Sequence, residues 1–348
     1  MDLSSFHVVR LNSELFPITE YEREKYVARG IVPVEFEVQS PLERATAVAA
    51  ADAVLVVCES LPAEAIQAMG CCRVICRLGA GTDKIDVARA TECGIVVTNV
   101  PDFCVEEQAD HAFAMLLAVA RKLNEMRRCM LETRYHSGRQ QCRPLRRLPG
   151  RCLGLVGFGR SARAMARRAR GFGMRILATR NNMTAVDPEV ESLGVRLVPL
   201  EQLLSEADFV SLHLPLDERT RGLFDKSTLL RMKPGSVLIN TARGAIVDED
   251  ALAELLEAGH LSGAGLDTFA AVDLHQPQPA AASHPLFQMD NVVFTPHVAA
   301  FSADSSRDVG YGSVTNLVDV LCGRWPAADR IVNPTVQPRW PLSVAADR

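Results

Sequence analysis

Gly157 and Gly159 directly follow the apolar run Cys152–Val156, and Ala162 stands three residues further on. Gly-x-Gly-x-x-Ala at the end of a strand is the spacing a dinucleotide pyrophosphate needs. Gly157 permits the tight turn, Gly159 lets the backbone approach the phosphates, and Ala162, in place of a third glycine, allows close helix–strand packing. A helix starting at Arg160 and Ser161 offers free N–H groups and a positive dipole end to the anion. An ordinary strand-to-helix turn also accommodates such a triplet, so the flanking pattern decides. An apolar strand precedes it, a helical pattern runs from Arg160 to Arg170, and a second strand, Arg175–Thr179, follows. In such units an Asp or Glu about 20 residues beyond the glycines binds the ribose 2′-hydroxyl of NAD, whereas an Arg accommodates the 2′-phosphate of NADP. Here the chain reads Thr179-Arg180-Asn181-Asn182, without an acid, which favours NADP. The other reading has Arg180 lying over the adenine, with either NADP or NAD accepted.

That turn must sit on a sheet, and the rest of the chain supplies one. Beyond it, strands at Phe209–His213, Val237–Asn240, Gly263–Leu266 and Val292–Phe294 alternate with helices at Leu200–Ser205, Ser227–Met232 and Asp250–Ala258. Asp248 is placed to cap the last helix, and Gly259 falls at its C′ position. Before the turn, strands are expected at Phe6–Leu11, Val32–Phe36, Val54–Cys58, Val74–Arg77 and Val96–Asn99, with helices at Pro62–Met69 and Ile85–Ala90. A long amphipathic helix begins near Val105, and an Arg-rich connection spans Arg134–Gly150. Such alternation implies doubly wound parallel sheets.

A length of 348 residues suits two domains. With 48% hydrophobic and 23% charged residues and a net charge of −4, the chain reads as globular, with no general affinity for nucleic acid or membrane. Between Arg121 and Arg180 the only acids are Glu125 and Glu132, so this segment either draws in an anionic cofactor and substrate or simply forms solvated helix faces. The ten cysteines include no Cys-x-x-Cys pair and read as reduced core residues of a cytoplasmic protein, not as disulfides or metal ligands. No signal peptide is visible, and the longest apolar stretch, Ala112–Ala120, is too short to cross a bilayer.

Further motifs occur in order: Arg77-Leu-Gly-Ala-Gly-Thr-Asp-Lys-Ile-Asp86, Val100-Pro-Asp-Phe-Cys-Val-Glu-Glu-Gln-Ala-Asp110, Met232-Lys-Pro-Gly235, Asn240-Thr-Ala-Arg-Gly-Ala-Ile-Val-Asp248, Gly265-Leu-Asp267 and Thr295-Pro-His297. With the glycine turn they resemble the D-isomer-specific 2-hydroxyacid dehydrogenase family, particularly its C-terminal-binding-protein-like branch, over roughly residues 70 to 335. The resemblance implies an α/β protein of two doubly wound domains: a Rossmann nucleotide domain, 104–297, inserted into a split flavodoxin-like substrate domain, 1–103 and 298–348. It also implies an active site in the cleft between them, a homodimer, and NAD(P)-dependent reduction of a small anionic 2-oxo acid to a D-2-hydroxy acid.

Such a reduction requires a cation for the carboxylate and ketone, a proton donor for the developing alkoxide, and a hydride from the nicotinamide. Arg243 follows the strand Val237–Asn240, where doubly wound sheets bind ligands, and its guanidinium fork suits a carboxylate. His297 follows Val292–Phe294 and resembles the family's acid/base histidine. Gly79, Ala80 and Gly81 would take the substrate carboxylate on their backbone. The cofactor set expected by resemblance is Gly157, Gly159, Arg160, Ser161, Arg180, Leu214, Thr220, Thr241 and Asp267. His111 reads as a packing residue, although the matching position in relatives lies close to the cofactor.

One departure from the family stands out. Relatives carry a Glu shortly after the Asp of Gly-Leu-Asp-x-Phe, hydrogen-bonded to the catalytic histidine. Here the ungapped position is Val272, and an alignment with an insertion puts Gln278 there instead. A neutral amide orients an imidazole but does not stabilise its cation by charge, and Asp273 or Asp304 are the carboxylates that could substitute. The alternative function is therefore a weak or inactive dinucleotide-binding regulatory protein resembling the co-repressors of that branch. Retention of Gly79-Ala80-Gly81 and Arg243 favours the reductase.

Overall fold

The computed structural model describes residues 2–14, 16–38, 40–141, 145–272 and 283–343. The chain divides into two compact units, Met1–Cys104 with Phe301–Arg348, and Val105–Ala300.

The first unit alternates β1 (Val8–Leu11), α1 (Glu20–Val27), β2 (Val34–Phe36), α2 (Pro41–Ala49), β3 (Ala53–Val56), α3 (Ala63–Ala68), β4 (Val74–Arg77), α4 (Val87–Glu92) and β5 (Val96–Thr98). Its five strands are parallel, in the order β2-β1-β3-β4-β5, the flavodoxin-like arrangement. The fully buried runs Val8–Leu11 and Ala53–Val56 lack polar alternation because both sheet faces are covered.

The second unit opens with α5 (Val105–Ala120), α6 (Leu123–Leu131) and α7 (Tyr135–Gln141). It continues through β6 (Cys152–Val156), α8 (Arg160–Gly171), β7 (Arg175–Thr179), α9 (Pro188–Ser192), β8 (Val195–Leu197), α10 (Leu200–Glu206), β9 (Phe209–Leu212), α11 (Lys226–Leu230), β10 (Val237–Asn240), α12 (Glu249–Glu257), β11 (Gly263–Leu266) and β12 (Val292–Phe294). The seven parallel strands follow the order β12-β11-β10-β9-β6-β7-β8, the Rossmann order extended by one strand. One face is covered by α5 and α8 through Ala112, Met115, Leu116, Ala162 and Met165, and the other by α10 and α12 through Leu203, Leu204, Leu252 and Leu256. The chain then returns as α13 (Ala303–Leu321), whose Leu317, Val318 and Leu321 complete the core of the first unit.

The doubly wound fold class read from the sequence is borne out, with local corrections. Helices α1 and α2 were not expected, since EYEREKYV is almost wholly polar; a Thr19–Glu22 capping box starts α1, and Ser40 followed by Pro41 starts α2. The helix from Val105 stops at Ala120, because Lys122 adopts a left-handed φ of +53° before α6 begins. The Arg-rich connection contains α7, and the short strand β8 was not anticipated. As expected, Asp248 caps α12 through its side chain, and Gly259 takes φ +72° just after it.

Candidate active site

The glycine turn lies at the carboxyl end of β6. Gly157 has φ +88°, and a Cβ there would stand 2.4 Å from the His213 carbonyl oxygen, so only glycine fits. Gly159 caps α8, and a Cβ there would meet nothing within 4 Å: the space above it is left open by this chain's own atoms. Arg160 is exposed beside it, while Ala162 is fully buried against the sheet. Ser161 Oγ and Ser211 Oγ lie 3.1 Å and 3.0 Å from the two ring nitrogens of His213. Burial pushes the His213 pKa down to about 4, so the imidazole beneath the turn is neutral, with one donor and one acceptor nitrogen. Leu214 packs beside Gly157, and Thr220 closes the turn after β9 by donating to the Pro215 carbonyl (2.7 Å).

A second indication of a ligand comes from Thr241. Its hydroxyl is buried without a partner, although the Thr241 carbonyl accepts from Gln108 Nε2 (3.1 Å). An open cradle over Gly159, the N-terminus of α8 and an unsatisfied hydroxyl at one sheet edge fit a dinucleotide.

Arg180, at the end of β7, is paired within the unit. Asp187, seven residues on, accepts from Arg180 Nη1 (2.7 Å) and from Arg163 Nη2 (2.6 Å), and caps α9 as well. Hydrogen bonds and charge from Arg163, with Arg180 adding to them, hold the Asp187 carboxyl below the usual range. The basic segment is likewise partly neutralised, since Arg167 and Arg168 pair with Glu106, and Arg168 also with Asp110.

Three adjacent strands deliver the other candidates. Arg243 follows β10, Asp267 follows β11 and His297 follows β12, and the backbone ladder continues past the strand ends. The Asp267 N–H donates to the Asn240 carbonyl (3.0 Å), and the His297 N–H donates to the Asp267 carbonyl (2.8 Å). Asn240 fixes the start of the Arg243 loop, its Nδ2 donating to the Arg243 carbonyl (2.9 Å) and its Oδ1 accepting from the Ala242 N–H (3.0 Å). His297 has φ +58°, a conformation unfavourable to a side-chain-bearing residue that the surroundings must impose. Asp267 imposes it: its wholly buried carboxylate accepts from Thr295 Oγ1 (2.5 Å), the Val298 N–H (2.9 Å) and the Ala299 N–H (2.9 Å). His111 Nε2 lies 2.9 Å from Thr295 Oγ1 and 3.6 Å from Asp267 Oδ1, so His111 donates to a hydroxyl that in turn donates to Asp267. Burial raises the Asp267 carboxyl, and these donors, Thr295 foremost, pull the other way. His111 is thus a hydrogen-bonding residue at the site and not a packing residue.

Residues 113–299, just over half of the chain, match the family described as D-isomer specific 2-hydroxyacid dehydrogenase, NAD binding domain. A glyoxylate reductase of Korarchaeum cryptofilum is 40% identical over 272 residues, covering 77% of this chain and 79% of its own. The chain belongs to the D-isomer-specific 2-hydroxyacid dehydrogenases. It is also similar to a glyoxylate reductase of Thermococcus onnurineus, 34% identical over 91% of this chain and 90% of the relative. Among solved structures, the Aquifex aeolicus D-lactate dehydrogenase complexed with NAD and lactic acid is 25% identical, covers 91% of this chain and 96% of its own, and superposes with a TM-score of 0.79. As a 2-hydroxyacid dehydrogenase, the protein is an oxidoreductase that takes a nicotinamide dinucleotide. The match supports the family and no particular branch of it.

For a member of that family, the position of the usual Glu matters. Val272 is part-buried, while Gln278 and Asp273 lie outside the described residues. Asp304 is exposed on α13 and pairs with Arg307 (3.2 Å). Gly79, Ala80 and Gly81 belong to the first unit, in the loop after β4. Thr295, Gln108 and Asp187 were missed as site residues; the one available signal was Thr295, which precedes Pro296 and His297 at a strand end.

No helix is long and apolar enough to cross a membrane, and no group of three metal-ligating side chains occurs among the described residues. Cys58, Cys71, Cys72, Cys76, Cys93, Cys152 and Cys322 are free thiols.

Proposed function

We propose that the protein reduces glyoxylate or a similarly small 2-oxo acid to the D-2-hydroxy acid. Arg243 holds the carboxylate and polarises the ketone, and His297 gives its proton to the developing alkoxide. A bound nicotinamide dinucleotide supplies the hydride. The carrying observation is that Arg243 and His297 leave the ends of β10 and β12, tied together through Asp267 at the end of the intervening β11, at the sheet edge where doubly wound folds bind ligands. The glyoxylate reductase relatives support the small substrate.

NADP is the preferred cofactor in this reading, with Arg180 exchanging Asp187 for the 2′-phosphate. The protein acts as a homodimer, for which Leu123, Met130 and Leu131, 56%, 61% and 67% exposed on α6, supply an apolar face.

The test is oxidation of NADPH and NADH against glyoxylate, hydroxypyruvate, pyruvate, phenylpyruvate and phosphonopyruvate. Arg243→Ala should lower kcat/KM by about a hundredfold or more, the scale of losing a charged stabiliser of the transition state. Asp187→Asn should shift preference further toward NADPH, and Arg180→Gln toward NADH. Tight dinucleotide binding with no turnover of any acid would replace the reductase with the regulatory reading, and the absent Glu would account for the lost chemistry.

A further inference from the structure

Four consecutive carbonyls in the loop after β4 are each held by a donor. Arg77 Nη1 donates to Leu78 and Arg77 Nε to Gly81 (2.9 Å), the Val100 N–H donates to Gly79 (3.0 Å), and Asn99 Nδ2 donates to Ala80 (2.7 Å). The N–H groups of Ala80, Gly81 and Thr82, all part-exposed residues, take no partner among the described residues. Folded chains ordinarily satisfy backbone donors and acceptors alike. Here the acceptors are consumed and three successive donors are left, which is the polarity of an anion-binding nest. Gly79 has φ +142°, and a Cβ there would stand 2.4 Å from Arg77 Nη1, so the guanidinium lies directly against the backbone of the loop.

We propose that Arg77 and Asn99 are positioning residues for the substrate carboxylate. They hold the carbonyls of Leu78, Ala80 and Gly81 back so that the Ala80, Gly81 and Thr82 N–H groups meet the anion undiluted. Arg77 also sets its guanidinium against the backbone of the loop. This rests on the reading that the loop binds the carboxylate of a 2-oxo acid. A carbonyl released by losing either donor is free to rotate, setting a partial negative charge against that carboxylate. Lysine at position 77 keeps the charge but lacks the fork that reaches both Leu78 and Gly81.

The experiment uses the full chain, deuterated and 15N-labelled at Ala and Gly, titrated with oxalate, alongside steady-state reduction of glyoxylate. In the wild type, oxalate should move the amide resonances of Ala80 and Gly81. Asn99→Ala and Arg77→Lys should each weaken oxalate binding and raise the KM for glyoxylate by about tenfold, the scale of one charge-assisted hydrogen bond. The rise in KM should exceed any fall in kcat, and the dinucleotide Kd should stay within about twofold, because the glycine turn after β6 is untouched. Wild-type oxalate affinity and KM in both variants would overturn the positioning role, as would unmoved Ala80 and Gly81 resonances at saturating oxalate. Turnover with unmoved resonances refutes this proposal and leaves the reductase standing; moved resonances without turnover of any acid do the reverse. Should Asn99→Ala fail to fold, Arg77→Lys and the wild-type titration carry the test.

Discussion

At the scale of single residues, Asp267 governs the site more than its neighbours do. The resemblance puts it in the cofactor set, and both its carboxylate oxygens are engaged within the protein, by Thr295, Val298 and Ala299. Asparagine has the same shape but replaces one acceptor oxygen with an NH2 group, which faces a donor. Asp267→Asn should therefore destabilise the protein by about 2–4 kcal/mol, from a lost charge-assisted hydrogen bond and a donor left buried without an acceptor. It should also release the φ +58° backbone of His297, lowering kcat for 2-oxo acid reduction by about tenfold or more, because a misplaced proton donor loses the benefit of orientation. Thermal denaturation and initial rates check both, and a stable variant with wild-type kcat would show that Asp267 does not position His297. The sequence identified Asp267, Arg243 and His297 as strand-end residues because each lies within three residues of the end of a strand legible as an apolar run. It could not identify Asp187 as the partner of Arg180, since that contact depends on how the chain turns between β7 and α9. The same holds for His111, whose partner Thr295 lies 184 residues away.

At the scale of elements, the two ends of the central strands carry opposite electrostatic features with one shared consequence. At the amino edge, Asp208 just before β9 accepts from Lys233 (2.8 Å), Arg151 (3.1 Å) and the Cys152 N–H (2.9 Å). Burial alone would raise its pKa, but these partners together bring it down to about 2. At the carboxyl edge, His213 after β9 is lowered to about 4 by burial. Folding disfavours protonation at both groups, so the stability each contributes is complete above its unfolded pKa and is lost as pH falls. His213 should account for a loss between about pH 6.5 and 4, and Asp208 for one between about pH 4 and 2, roughly 3 and 2 kcal/mol respectively. Chemical denaturation across this range should show the upper step vanish in His213→Gln and the lower one in Asp208→Asn. A stability that stays flat from pH 6.5 to 4 in the wild type would contradict a part-buried, neutral His213. Strands such as β6 and β9 were legible because a short apolar run without polar alternation is the pattern that burial on both sheet faces produces. Helix α1 was not, because its stability rests on a capping box and on the buried pair of Arg10 with Glu22 (2.7 Å), neither of which leaves apolar periodicity. The break at Lys122 was equally silent, lying inside an unbroken helical pattern without Gly or Pro.

At the scale of the whole molecule, the two units differ in how the chain builds them. Residues 105–300 form a continuous segment that encloses two cores, one on each face of the seven-stranded sheet. The other unit is discontinuous. Val314, Leu317, Val318, Val320 and Leu321 of α13 share one core with Val8, Leu55 and Val74, and Asn333 Oδ1 accepts from the Val97 N–H of β5 (2.8 Å). Burying such a side chain contributes about 1.5–3 kcal/mol, so the five together match the roughly 5–15 kcal/mol by which an entire domain is stable. Residues 1–104 expressed alone should therefore fail to fold, and adding 301–343 through a short flexible linker should restore them. Residues 105–300 expressed alone should fold cooperatively and bind NADPH, with the ligand stabilising them by about 2.7 kcal/mol at a hundred times its Kd. Far- and near-UV circular dichroism with dinucleotide fluorescence titration decide the matter. A 105–300 segment lacking near-UV signal would mean that the nucleotide fold depends on the rest of the chain, and that the dinucleotide reading cannot be taken from this unit by itself.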